Sequence, residues 1–366
     1  MSFLDKLSVA GFKSIASLED LELGRINVLV GANGAGKSNF VGLFRFLRAI
    51  MNLELQAAVL REHGGASRVL HLGPKVTERI TASFTFGLNT YAFSLAPSPD
   101  DTLFFERETA EFRGLQGPDA GGPQLVLTGH RESGIPAQAK QRKGNEADHV
   151  LHAISSWTVY HFHDTSRTAG VKQVQSIRDT DALRFDASNL APFLMHLRDH
   201  DTSSYQQIRD VVRLIFPAFD DFVLRERSPG SDSVLLEWRQ RGSDYPFLGA
   251  ELSDGTLRFC CLAAVLLQPR PPSTVLIDEP ELGLHPYALT LLAELVQEAS
   301  RRTQLVVSTQ SPTLLDRFEA KDVIVVDRDD DQSKFRRLDR DALREWLSEY
   351  SLGELWQKNV LGGRPT

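Results

Sequence analysis

Cysteine is nearly missing from this sequence: its 366 residues hold only Cys260 and Cys261, adjacent in an apolar stretch. Two neighbouring thiols cannot staple distant segments together or build a four-thiolate zinc site within one chain. A disulfide framework is excluded, and both read as reduced core residues. Long hydrophobic runs are also lacking. The longest, Phe259 to Leu267, has nine residues, where a bilayer span needs about 20. The start MSFLDKLSVAG lacks the basic-then-apolar order of a secretory signal. A cytoplasmic protein without a membrane partner is therefore expected. Positive charge is in deficit, since 41 Lys and Arg against 48 Asp and Glu leave a net charge of −7. Any contact with DNA must come from a local basic patch, not from the surface as a whole. No fixed-period repeat and no sustained heptad occur, which excludes a solenoid or a long coiled coil.

What is present is an α/β texture at both ends of the chain. Arg25 to Val30 is a short β-branched run, after which apolar residues recur at Phe40, Leu43, Phe44, Leu47 and Ile50, giving strand, loop and helix. From Ile80 the pattern alternates: Ile80, Ala82, Phe84 and Phe86 share a face, and Tyr91, Phe93 and Leu95 repeat it. That predicts an antiparallel meander. Residues 114–146 are rich in Gly, Pro and Gln, follow no period, and read as a flexible loop. Helical spacing returns at Leu190, Phe193, Leu194 and Leu197 and again at Ile208, Val211, Val212 and Ile215. Beyond residue 252, helices alternate with strands at Thr274–Ile277, Gln304–Val307 and Asp322–Val326, as in a parallel sheet.

Gly31-Ala-Asn-Gly-Ala-Gly-Lys37-Ser38 fits the GxxxxGK(S/T) pattern and lies between the expected strand and helix. Glycines there let backbone N–H groups turn inward around phosphate oxygens at a helix start. Lys37 adds a mobile cation, and the Ser38 hydroxyl suits Mg2+. Asn33, Gly34, Ala35, Gly36, Lys37, Ser38 and Asn39 are the expected nucleotide contacts. A second element, Thr274-Val-Leu-Ile-Asp278-Glu279, delivers two carboxylates at the C-terminal end of a strand, where open α/β sheets bind ligands. Asp278 would hold Mg2+ with Ser38, while Glu279 would direct water at a γ-phosphate. Lys37 and Glu279 are thus candidate catalytic residues of an ATPase converting ATP and water to ADP and phosphate.

With Leu252-Ser253-Asp254-Gly255-Thr256 placed just before an apolar helix and the acidic pair, these motifs resemble the ABC-type ATPase heads of SMC, RecF-like and OLD-like proteins, and in particular the single-chain bacterial AAA-type ATPases grouped with them. The resemblance covers residues 1–110 and 245–330. It implies a P-loop NTPase of ABC-ATPase type, with a mixed sheet core, an antiparallel β subdomain and a helical insertion lobe. The implied organisation is residues 1–113 as the N-terminal half of the head, 114–146 as the loop, 147–222 as the mainly helical insertion lobe, 223–330 as the C-terminal half and 331–366 as a tail. It also implies that Ser253 and Gly255 contact the γ-phosphate of ATP held by a second copy, so that two chains sandwich two nucleotides. Ser253 would equally serve as an ordinary N-cap. Ser308-Thr-Gln310-Ser-Pro312 resembles the switch that closes such a site, with Gln310 where many relatives carry histidine; glutamine offers hydrogen bonds but no proton charge. Gly11-Phe-Lys13-Ser14 resembles the N-terminal segment that touches the nucleotide. The stretch from Lys37 to Leu252 is too short for a chromosome-type arm, and the residues after Gln332 are too few for a fused nuclease, so any nuclease or effector is expected as a separate chain.

The resemblance implies a homodimer formed on ATP binding that couples nucleotide state to DNA or to a partner effector, in DNA repair or anti-phage defence. Alternatives are the nucleotide-binding subunit of a membrane transporter and a low-turnover ATP-gated scaffold. Lys140, Arg142 and Lys143 offer a DNA-contacting patch or a solvated charge cluster. His161 and His163 share a strand face with Asp164 nearby, as in a metal site or a plain edge strand. Arg301-Arg302 reads as compensation of a helix dipole.

Overall fold

The computed structural model describes residues 3–112 and 124–363. The chain begins with β1 (Lys6–Phe12), β2 (Ile15–Glu22) and β3 (Ile26–Val30), then α1 (Lys37–Met51) and the short α2 (Leu55–Ala57) and α3 (Ala66–Val69). It continues through β4 (Ile80–Phe86), β5 (Asn89–Pro97), β6 (Leu103–Phe112), β7 (Gln124–Leu127), α4 (Ile135–Gln141), α5 (Glu146–Ser155), β8 (Thr158–Tyr160) and β9 (Gln175–Ser176). A lobe follows, made of α6 (Leu190–His200), α7 (Thr202–Ile215), β10 (Phe219–Val223), β11 (Ser233–Val234), β12 (Glu237–Gln240) and β13 (Pro246–Leu248). The last part holds α8 (Asp254–Leu267), β14 (Thr274–Asp278), α9 (Pro286–Ala299), β15 (Gln304–Thr309), α10 (Pro312–Leu315), β16 (Val323–Asp329), β17 (Gln332–Arg337) and α11 (Leu352–Gln357).

The central sheet runs β17-β16-β3-β15-β14-β8, parallel throughout except for β17. All residues of β3 and β15 are buried, as are Thr274 to Ile277 of β14. Continuous apolar strands of this kind belong to a parallel sheet covered on both faces. Strand alternation divides them between two cores. Leu29, Leu276, Val306 and Ile324 pack with Phe40, Leu43 and Phe44 of α1 and with the antiparallel sheet. Val28, Ile277, Val307 and Val325 pack with α6, α8 and α9 on the other face.

The antiparallel sheet, β2-β1-β4-β5-β6-β7, follows the expected alternation, with Ile80, Ala82, Phe84 and Phe86 buried along β4. Its partner β5 starts at Asn89, which pairs with Phe86 across Gly87-Leu88, a tight turn in which Gly87 has φ 58°.

Three segments differ from expectation. Residues 114–146 carry β7 and α4 where an open loop is expected, although residues 113–123 lie outside the described part. The cause is long-range: Gln124–Leu127 pairs with β6, and Glu108 of β6, fully buried, accepts hydrogen bonds from Tyr91, Ser133 and Gly134 and pairs with His130 at 2.9 Å. Residues 147–222 are mainly helical, with α5, α6 and α7, but do not form one separate lobe, because β8 is an edge strand of the central sheet and α5 packs in the α1 core. The tail 331–366 adds β17 to the sheet and seats Leu352, Leu355 and Trp356 in the opposite core.

Candidate functional site

β3 ends at Val30, and the next eight residues turn from strand into α1. Gly34 and Gly36 adopt φ 80° and 115°, conformations that side-chain-bearing residues avoid. A Cβ on Gly36 would also run into the hydroxyl of Ser333. That hydroxyl donates to Ala35 O at 2.6 Å and lies 2.7 Å from Ser14 Oγ, from which it can accept, and Asn39 Nδ2 donates to the same Ser14 oxygen at 2.7 Å. β17 and the β1–β2 turn thus hold the loop from outside. Lys37 is buried, and its ammonium donates to Gly31 O at 2.6 Å and Ala32 O at 3.0 Å. Burial lowers its pKa, while the negative charges of Glu279, Asp278 and Glu281 act in the opposite direction. Asn33, Gly34 and Ser38 are exposed at the mouth.

Asp278 and Glu279 leave β14 at the edge of the sheet that faces this loop. Glu279 has φ 45°, a region that costs a residue with a side chain about 1–3 kcal/mol. Its N–H is held by Ser308 O at 2.8 Å, and its carboxylate accepts a hydrogen bond from the side-chain amide of Gln310. Asp278 Oδ1 is buried without a hydrogen-bond partner, so the donor set fits a divalent cation: an orphaned carboxylate oxygen, the Ser38 hydroxyl and the mouth of a phosphate-type loop. Among the described residues no group of three His, Cys, Asp or Glu side chains is arranged to hold a metal alone. His161, His163 and Asp164 therefore form no such site. His163 Nε2 instead meets Asp278 O at 3.1 Å.

Glu281 opens the segment Glu281-Leu-Gly-Leu-His285-Pro286, which resembles the stretch after the acidic pair that crosses the dimer interface in such heads, but that resemblance assigns the Glu281 side chain no role of its own. Its Oε1 accepts from Thr309 Oγ1 and from Gln310 N, both at 2.7 Å, tying the segment after the acidic pair to the end of β15. Burial raises its pKa, against the hydrogen bonds from Gln310 and Thr309. Its anchoring contacts have no sequence signal beyond that resemblance and a third acid two residues after Glu279.

Ser253 is the N-cap of α8, accepting from Thr256 N at 3.1 Å. It is exposed, and among the described residues no hydrogen bond joins Ser253 or Gly255 to the Gly31–Ser38 loop. Gly255 lies against Gly283 O so closely that no Cβ would fit, and buried Arg258 donates to Leu282 O and, at 2.9 Å, to Phe162 O. The segment is backed by Glu281–His285 with its outer side open. Ser14 belongs to the loop network, whereas the Lys13 ammonium lies by Gly42 of α1, its pKa lowered by burial, with Glu62 and Arg45 as charged neighbours.

Lys140, Arg142 and Lys143 are exposed at the end of α4. Arg301 pairs with Glu298 at 3.0 Å, and Arg302 donates to Leu266 O and Gln268 O, closing the end of α8 rather than its own helix. No helix among the described residues is long and apolar enough to cross a membrane.

Residues 26–316 match the model of a family described as "AAA domain, putative AbiEii toxin, Type IV TA system". Among solved structures, the chain is similar to an Smc head bound to the C-winged helix domain of ScpA, at 16% identity and TM-score 0.58, covering 93% of this chain and 99% of that one. It is also similar to a Pyrococcus furiosus Smc head domain with an extended coiled coil, bound to the C-terminal domain of ScpA (16%, TM-score 0.54, 95% and 99% covered). A Pyrococcus yayanosii Smc head with a coiled coil and joint matches at 13% and TM-score 0.50, again covering 95% and 99%. At these identities the likeness shows the fold alone, that of a P-loop NTPase. A search of curated proteins gave no match.

Proposed function

The chain belongs to this AAA domain family, and from that premise we propose that two copies close head to head around two Mg-ATP molecules, hydrolyse them and reopen, passing the change of shape to a separate effector. The observation that carries the reading is the meeting of Lys37, Asp278, Glu279 and Gln310 at one sheet edge, with the Gln310 amide on the Glu279 carboxylate. Asn33 to Asn39, with Ser14, bind the triphosphate. Ser38 and Asp278 hold Mg2+, which when bound neutralises charge on the phosphates. Glu279 takes the proton of the attacking water, and Gln310 orients that carboxylate and senses the γ-phosphate. Ser253 and Gly255 bring a hydroxyl, a backbone N–H and the positive end of α8 to the nucleotide of the other copy. The exposure of Ser253 supports a role in trans.

The effector is a nuclease or toxin-like chain, or DNA contacted through Lys140, Arg142 and Lys143, in anti-phage defence or DNA repair. The family description, with its toxin–antitoxin system, favours defence. Light scattering on Glu279→Gln tests the dimer: ATP with Mg2+ should double the mass while ADP should not. A single-chain mass in both states, with ATP demonstrably bound, overturns the reading.

A further inference from the structure

Three neighbouring strands end in a row of polar residues. Tyr160 pairs with Ile277, which places His161 beside Asp278, and Asp278 itself pairs with Ser308. Two residues earlier on the same strands, Val159, Leu276 and Val306 all pack in the core with α1, so by strand alternation the row lies on the α1 face of the sheet. Each member carries a buried polar atom with no hydrogen-bond partner: His161 Nδ1, Asp278 Oδ1 and Ser308 Oγ. Burying one such atom costs roughly 1–3 kcal/mol, and native interiors seldom leave several together. All three atoms have lone pairs to offer, and a cation with its water shell satisfies all three at once. The His161 ring is held against that of His163, tilted by 46° with ring centroids 4.1 Å apart, while His163 Nε2 meets the Asp278 carbonyl oxygen at 3.1 Å.

We propose that His161 Nδ1 is a nitrogen ligand of the divalent cation that accompanies the nucleotide, with Ser308 bonding a water of its shell, so that the site prefers Mn2+ to Mg2+. The inference rests on the ATP reading above. The preference follows from ligand chemistry: Mg2+ is a hard ion that favours oxygen donors and retains its waters, whereas a first-row transition ion gains from an imidazole nitrogen.

The test is pulsed EPR of Mn2+ bound to the full chain with a non-hydrolysable ATP analogue. Phosphorus couplings report the nucleotide. A nitrogen coupling that changes from 14N to 15N in protein made with 15N-histidine reports the ligand, and this needs no substitution. His161→Ala should keep the phosphorus couplings, lose the histidine signal and cut the Mn2+ over Mg2+ affinity ratio about tenfold. His163→Ala should retain the histidine signal. Phosphorus couplings without histidine nitrogen overturn the inference and leave the nucleotide reading intact; a spectrum with neither removes both. Equal affinity of the wild-type complex for the two ions, or a signal that vanishes in His163→Ala but survives in His161→Ala, also overturns it.

Discussion

The Gly31–Ser38 loop and the Leu252–Thr256 segment carry the same equipment, backbone amides at the start of a helix and an exposed hydroxyl, yet the fold treats them differently. The first is braced from three directions. Ser333 closes on Ala35 and leaves no space at Gly36, Ser14 and Asn39 complete the network, and Lys37 is buried against the loop's own carbonyls. The second rests its inner side on Gly283 and keeps Ser253 exposed, bonded only within its own turn. Precision is concentrated at the loop proposed to hold the chain's own nucleotide. The open segment makes sense where a second molecule supplies what it faces.

The comparison can be broken at four places. Glu279→Gln should slow hydrolysis about a hundredfold or more while leaving ATP affinity nearly unchanged, because it removes the proton acceptor and keeps the Gln310 contact within reach; steady-state turnover beside equilibrium ATP binding separates the two. Ser253→Arg acts on the open segment alone. Light scattering should show no ATP-dependent dimer, turnover should fall at least about tenfold, and single-chain ATP binding should persist. An intact dimer would remove the contrast between the regions. Glu281→Ala should cost several-fold to about tenfold in turnover by releasing Thr309 and Gln310, whereas Glu281→Gln retains an acceptor oxygen and should cost far less; equal losses would mean that the charge, not the anchoring, matters. Replacing Lys140, Arg142 and Lys143 together should lower the salt-dependence slope of DNA binding by up to about three, and an unchanged slope would move that contact elsewhere.

Much of the braced region was legible from local pattern. A glycine-rich loop between an apolar strand and an amphipathic helix has few other uses, and an acidic pair ending a buried strand points to the ligand edge of the sheet. The illegible parts depend on partners distant in sequence. β8 is three residues long, too short for periodicity to register, and is a strand only because β14 lies beside it. β17 has alternating burial, but nothing local shows that Ser333 would reach Ser14 and Ala35. Glu281 looks like a solvated acid until Thr309 and Gln310 are folded onto it. The segment 114–146 misled because its composition favours loops, while the pairing of β7 with β6 and the anchoring by Glu108 overrode that preference.

The most direct trial of a reaction centre shared between two chains is a mixing measurement. Lys37→Ala removes the phosphate-loop cation and leaves Leu252–Thr256 intact, while Ser253→Arg does the reverse. Each variant alone should be nearly inactive in ATP hydrolysis. Mixed in equal amounts they should recover a substantial fraction of wild-type turnover, because a mixed pair contains one centre with both halves sound. A mixture no more active than either variant alone, or a Ser253→Arg chain that hydrolyses ATP at the wild-type rate by itself, would contradict the account.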